Sequence, residues 1–234
     1  MTSSPERPLN VIGIETSGVI GSIALLRNGA EPDERLFGEG LQHARDLVPD
    51  LQALLDAHGL GPSDIELYGV GRGPGSYTGL RVGVATARVL AYSSGRPLVG
   101  VPTTEALVQN VVEHAQAVCA VIDAKRGELY AQVFRRDSGR WRAESPAIVA
   151  SPEEVVEKVP REAVLVGDAL RAHGEYLRGE GFTLAEEALW RPRASAVAEL
   201  ALELFKEHGS DDVHTLVPAY LRRPAAEEKR LATR

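Results

Sequence analysis

The sequence predicts an α/β protein of two related lobes, each a mixed sheet flanked by helices. Three observations carry that expectation. The 234 residues suffice for one large domain or for two small lobes with real cores. The N-terminal part reads as three consecutive strands, then helices alternating with strands. A shorter version of that order recurs after residue 117, without a sequence repeat of fixed period or a low-complexity segment.

The run "LNVIGIET" (9–16) is apolar and β-branched, and the turn "SGVIG" bounds it. "SIALLRNG" follows and ends in Asn28-Gly29, a hairpin signal, which makes "ERLFGEG" the third strand. A helix is expected over 44–58, where Leu47, Leu51, Leu54, Leu55 and His58 recur at helical spacing and Gly59 supplies the stop. Pro49 fits a helix only near its first turn, which leaves that end open. "ELYGVGRG" reads as a strand entering a glycine-rich loop, and "PLVGV" is another strand. Thr103 or Thr104 can then cap the helix "EALVQNVVEHA". In the second block, "AVCAVIDAKRGELYAQVFRRDSGRWRAESPAIVA" reads as three strands with turns at Lys125–Gly127 and Asp-Ser-Gly. "SPEEVVEKV" is a helix capped by Ser151 with Pro152 at its first position. "AVLVG" is a strand, and "SAVAELALELFKEHG" is an amphipathic helix closed by Gly209.

The loop "GRGPGSYTGLRVGVATARVLA" (71–91) resembles a phosphate cradle, yet three site chemistries fail on spacing. A P-loop needs a second glycine five residues on, followed by lysine; Ser76, Thr78 and Leu80 stand there, and the stretch has no lysine. The dinucleotide fingerprint fails because Ser76 occupies its third glycine position. A serine-hydrolase elbow would need glycines where Pro74 and Thr78 flank Ser76. What remains is mechanical. Pro74-Gly75 turns the chain, and Ser76 caps a helix beginning near Tyr77. On that helix Gly79, Gly83 and Ala87 share one face, a groove without side chains flanked by Leu80, Val84 and Ala91. Val82, Ala85 and Val89 lie opposite. Glycine costs about 1 kcal/mol in a helix interior, so two on one face imply that another backbone approaches closely. That backbone belongs either to the chain's own core or to a partner.

The rest of the chemistry is narrow. Of His43, His58, His114, His173, His208 and His214, no two are four apart, and no H-E-x-x-H occurs; no metal site is expected. The single cysteine, Cys119, excludes an internal disulfide, fits a reducing cytoplasm, and reads as an inert buried thiol. Asp123 is the acidic residue most worth testing, since it ends a strand beside the Lys125-Arg126 turn. That turn is either a solvated hairpin tip or an anion contact. No secretory signal and no membrane span is evident. The formal charge of −7 disfavours stable RNA binding by the chain alone. Arg222, Arg223, Lys229, Arg230 and Arg234, set against Glu227 and Glu228, form either a local basic patch or a solvated, partly disordered end.

The segments "VIGIETSGVIGSIALL", "HARDLVPDLQALL", "GRGPGSYTGLRVGVATARVLA", "LVGVPTTEAL", "AVIDAKRGELYAQVF", "VGDAL" and "PAYLRR" occur in the order found in the TsaB (YeaZ) family. The chain resembles that family over nearly its whole length. The resemblance implies an actin-like ATPase domain (ASKHA) fold with lobes at 1–102 and 103–209 and a segment 210–234 returning to the first lobe. It implies a non-catalytic subunit that pairs with a catalytic relative, TsaD, and an ATPase, TsaE. Together these form N6-threonylcarbamoyladenosine beside the anticodon of tRNAs reading ANN codons. TsaD carries an H-x-x-x-H metal pair that this chain lacks. The resemblance places the partner interface, or a homodimer interface in the isolated chain, on Leu47, Leu51, Leu54, Leu55, Gly79, Leu80, Gly83, Val84 and Ala87. It also implies a cytoplasmic protein that meets tRNA only through the complex. Glu15 and Ala169 depart from the Asp and Gly of many relatives. No cofactor is therefore expected on this chain alone, while ATP or ADP at a joint surface would use Thr16, Ser17, Gly75, Ser76, Lys125 and Arg126. The competing reading is a free-standing ASKHA small-molecule kinase or ATPase. Magnesium-ATP hydrolysis by the isolated chain separates the two. A zinc peptidase lacks its ligands.

Overall fold

The computed structural model describes residues 9–27, 30–39, 43–111 and 115–221. The Asn28-Gly29 turn, His114 and the basic residues from Arg222 onward lie outside the described residues. Strands β1 (Asn10–Glu15), β2 (Ile20–Arg27) and β3 (Asp33–Glu39) run antiparallel in succession. β1 also pairs in parallel with β4 (Leu67–Gly73), and β4 pairs with β5 (Leu98–Pro102), giving the order β3-β2-β1-β4-β5. The second sheet repeats that order. β6 (Ala117–Lys125) takes the place of β1, and β7 (Glu128–Asp137) and β8 (Arg140–Ala143) follow on one side. β10 (Val164–Val166) and β11 (Thr183–Leu184) lie on the other. The short β9 (Ile148–Ala150) adds to β7. Two sheets of the same order, each with helices on both faces, make the ASKHA fold.

The central strand β1 is buried throughout, which is why its run is apolar without alternation. Ile12 and Ile14 face α1 (His43–Ala57) and α2 (Tyr77–Ser94), whose Leu47, Leu51, Leu54, Leu55, Val84 and Ala87 fill that side. Val11 and Leu67 face α6 (Ala194–His208) on the other. α6 lies almost on the sheet: a Cβ on Gly13 would overlap the Ala194 carbonyl, and one on Gly69 would come within 2.6 Å of the Ala201 Cβ. α4 (Pro152–Lys158) and α5 (Leu170–Gly179) cover one face of the second sheet, and α3 (Thr103–Val108) covers the other. α3, at the head of the second lobe, thus packs on that lobe's own sheet, whereas α6 packs on the other's. The sequence division at 209 assigned α6 to the second lobe; its packing assigns it to the first. From Asp211 to Ala219 the chain also runs along the first sheet. Asp211 bridges Leu98 and accepts a bond from the Gly100 amide at 2.7 Å, Arg88 donates to the Val213 and His214 carbonyls, and Leu216 enters the core.

Two local expectations change. Pro49 sits inside α1, on its exposed side, where the lost backbone bond faces water. Neither Thr103 nor Thr104 caps α3, whose cap is Pro102. Thr103 instead accepts from the Gly73 amide, and Thr104 donates to Gln132. By contrast Ser151 and Glu154 form a full capping box on α4, and Gly209 ends α6.

The N-terminus of α6 is capped from a distance. Glu34, on β3, accepts from the Ala194 amide at 2.9 Å, the Ser195 hydroxyl at 3.0 Å and Arg193 Nε at 2.9 Å. Burial alone would raise its carboxyl, but the bonds from Arg193, Ser22 and Ser195 outweigh burial and hold it below the usual range. A depressed carboxylate contributes stability that is present above the unfolded value near 4.5 and is lost as pH falls through the folded one. Glu34→Gln should therefore lose about 2 kcal/mol near neutral pH, the scale of charged hydrogen bonds. It should also flatten the acid limb of a melting-temperature profile between neutral pH and pH 3. An acid limb of unchanged steepness would show that the cap is not ionised.

Candidate partner surface and lobe cleft

α2 begins where the sequence placed it, with Ser76 accepting from the Gly79 amide at 3.3 Å. The stripe of small residues does admit a close backbone, but that backbone is the chain's own. A Cβ on Gly79 would overlap the Thr16 carbonyl, and one on Gly83 would overlap Thr16 Oγ1. Thr16 Oγ1 in turn donates to the Gly79 carbonyl at 2.8 Å. Leu80, Val84 and Ala87 are buried beside them, as are Leu47, Leu51, Leu54 and Leu55 on α1. All nine residues expected at a partner interface therefore belong to the first lobe's interior. The hydrophobic effect commits the stripe that matches the sheet, leaving the opposite stripe outside.

That outer stripe is apolar too. Val89 is 66% exposed, Tyr92 67% and, on α1, Val48 51%, with Ala44, Ala53 and Ala85 exposed among them. Of the eleven large hydrophobics exposed among the described residues, seven lie on α1, α2 or the adjoining 217–221 segment, so the patch is a localised feature and not scatter.

Four expected ligand residues do converge at the end of β1. Ser17 accepts the Ser76 amide at 2.8 Å, and Gly75 packs against Ser17 so tightly that a Cβ would lie 2.7 Å from it. Their polar groups serve the fold: Thr16 binds Gly79 and Ser76 caps α2. Lys125 and Arg126 form the β6–β7 turn, both at positive φ, 65° and 59°. The Lys125 ammonium pairs with Asp123 at 2.7 Å, and Asp168 accepts the Asp123 amide at 2.9 Å. Burial, ahead of the Asp123 amide bond, raises the Asp168 carboxyl, whereas Asp123 is held low despite burial by its bonds to Lys125. Cys119 is fully buried, and burial pushes its thiol up to about 12, as an inert core thiol requires.

Two features escaped sequence reasoning. Glu15 is fully buried on the α6 side of β1, and a Cβ on Gly71 would overlap its Oε2. Its Oε1 takes the Ser17 amide at 2.5 Å, while Oε2 has no hydrogen-bond partner. Burial raises this carboxyl more than the Ser17 bonds lower it. The Glu34 cap is the second. An acidic residue closing β1 and another opening β3 give no signal of either. Among the described residues no group of three or more His, Cys, Asp or Glu side chains could hold a metal ion, and no helix is long and apolar enough to cross a membrane.

The TsaB protein of Escherichia coli, described as a tRNA threonylcarbamoyladenosine biosynthesis protein, is 30% identical, with 94% of this chain and 98% of that protein covered. The Bacillus subtilis TsaB is also 30% identical, covering 94% of this chain and 97% of its own. This chain belongs to the TsaB (YeaZ) family. The solved structure of YeaZ from Pseudomonas aeruginosa superposes with a TM-score of 0.80 at 27% identity, covering 91% of this chain and all of that one. Residues 40–230 also match the family model for TsaD, tRNA N6-adenosine threonylcarbamoyltransferase. The TsaB-family chain and the transferase family thus share a scaffold.

Proposed function

We propose that this TsaB-family chain is a non-catalytic subunit of a tRNA threonylcarbamoyladenosine system that docks a TsaD-like catalytic paralogue through the outer face of α1 and α2. The observation that carries the reading is the exposed stripe of Val48, Val89 and Tyr92. A paralogue of the same fold presents an equivalent helix pair, so two copies or two paralogues can meet about a pseudo-twofold axis and bury both stripes. The isolated chain forms a homodimer through that face, and the paralogue replaces the second copy. TsaE, as the ATPase partner, joins the pair, and tRNAs reading ANN codons are the substrates of the complex.

The chain holds no nucleotide tightly by itself. The hydroxyls of Thr16 and Ser76 are engaged within the fold, and Lys125 is paired with Asp123. Glu15 presents a buried carboxyl where a phosphate would need donors. ATP or ADP binds at the joint surface of the complex. Reconstitution tests this reading. Supplied with threonylcarbamoyl-adenylate as donor, the chain, its paralogue and the ATPase should together modify a tRNA transcript with release of AMP, omission of this chain should abolish the product, and the chain alone should give no calorimetric response to micromolar magnesium-ATP. Turnover of ATP by the isolated chain would install the free-standing enzyme instead.

A further inference from the structure

Resting on that tRNA-directed reading, we infer that the N-terminal end of α2 and the segment ending at Leu221 form a platform for unpaired nucleobases of the RNA substrate, so that this subunit itself touches tRNA. Tyr77 opens α2 and packs against Tyr220, with ring centroids 4.9 Å apart and planes 32° apart. Arg81, one turn on, lies 5.4 Å from the Tyr77 ring centroid and donates to its hydroxyl at 2.9 Å. All three are exposed, as is Leu221. Arg45, Arg135, Arg140, Arg171 and Arg193 pair with carboxylates; Arg81 has no carboxylate partner among the described residues.

Charge distribution points the same way. Between Glu66 and Glu105 the sequence has no carboxylate, yet it contains Arg72, Arg81, Arg88 and Arg96. Between Asp212 and Glu227 it has none either, and Leu221 is followed directly by Arg222 and Arg223. In a chain of net charge −7, two acid-free stretches meet where Tyr77 touches Tyr220. Two acid-free stretches carrying an aromatic pair with a guanidinium suit a polyanion whose bases can stack. The other half of the same helix, Ala85 to Tyr92, also carries Arg88 and Tyr92, but there the guanidinium is spent on the Val213 and His214 carbonyls and the ring meets His214 edge-on. With Ala85 and Val89 beside them, that half suits a protein helix. The chain's overall negative charge makes the contact weak in isolation and useful once a partner holds the RNA nearby.

The test uses the complex of this chain with its catalytic paralogue and a tRNA transcript with an unmodified anticodon loop, measured by fluorescence anisotropy at several salt concentrations. Tyr220→Ala should weaken tRNA binding about 5- to 100-fold, the scale of one lost base stack, while Tyr220→Phe keeps near-normal affinity. Arg81→Ala should lower the slope of log affinity against log salt by about 0.7, one phosphate contact on a single strand. Pairing with the paralogue, measured on the same samples, should not change. Wild-type tRNA affinity in both Tyr220→Ala and Arg81→Ala would overturn the platform while leaving the subunit reading intact. Loss of paralogue pairing in step with tRNA binding would overturn it too, making the surface a protein contact. A wild-type complex that forms and modifies tRNA supports the subunit reading whatever the variants do. A wild-type complex without tRNA affinity removes both.

Discussion

Gly83→Leu is expected to unfold the first lobe. Insertion of extra methylenes into a packed core typically costs about 1–3 kcal/mol, because neighbouring side chains can yield. At Gly83 the neighbour is Thr16 Oγ1, which is fixed by its bond to the Gly79 carbonyl and backed by the end of the buried β1. The loss should exceed that range and lower the melting temperature by more than about 6–12 °C, at roughly 2–4 °C per kcal/mol for a chain of this size. Two companions locate the cause. Thr16→Ala removes the overlapping hydroxyl, so Gly83→Ala should be far better tolerated in that background than alone. Gly79→Ala meets the Thr16 carbonyl itself, a backbone atom, and Thr16→Ala should not rescue it. A stably folded Gly83→Leu protein that had lost only its pairing would return the small-residue groove to the interface.

That reversal shows where sequence ceases to be informative. The helix itself was legible: Ser76 caps it, glycine follows its end, and apolar residues recur at helical spacing. So were the capping box at Ser151 and the turn at Lys125–Gly127, because caps and tight turns are decided by residues a few positions apart. The recurring succession of strands and helices along the chain was legible for the same reason, since each strand announces itself locally. Which of two apolar faces of α2 lies inside was not. The decision belongs to Thr16, sixty-odd positions earlier, and the pattern along 77–94 contains nothing of it. Glu34 and Ala194 present the same difficulty at greater separation, and so does the packing of α6 on the first sheet. Of the candidate ligand residues, Thr16, Ser17, Gly75 and Ser76 meet at the end of β1, but the Thr16 and Ser76 hydroxyls are committed to Gly79 and the Ser76 amide to Ser17.

Val89→Glu, on the opposite face, should leave the fold intact and abolish pairing. Val89 is 66% exposed and touches no core cluster, so the substitution should change stability by no more than about 0.5 kcal/mol. In a complex formed through the α1–α2 face, the same position is covered by an apolar helix. Glutamate there must bury a carboxylate without a partner or hold the helices apart. An unpaired buried charge at an interface typically costs about 2–5 kcal/mol, which weakens association at least 30-fold. The stripe should show graded behaviour: Tyr92→Ala should cost less than Val89→Glu, because truncation removes contact area without adding a charge. Leu36→Glu supplies the control. Leu36 is 54% exposed on the edge strand β3, away from the outer stripe, and an added charge there should leave pairing with the catalytic paralogue unchanged. Sedimentation of the isolated chain and titration against the paralogue should respond together to Val89→Glu if one face serves both the homodimer and the heterodimer. A variant that becomes monomeric yet still binds the paralogue normally would separate the two interfaces and place the catalytic subunit elsewhere on the lobe.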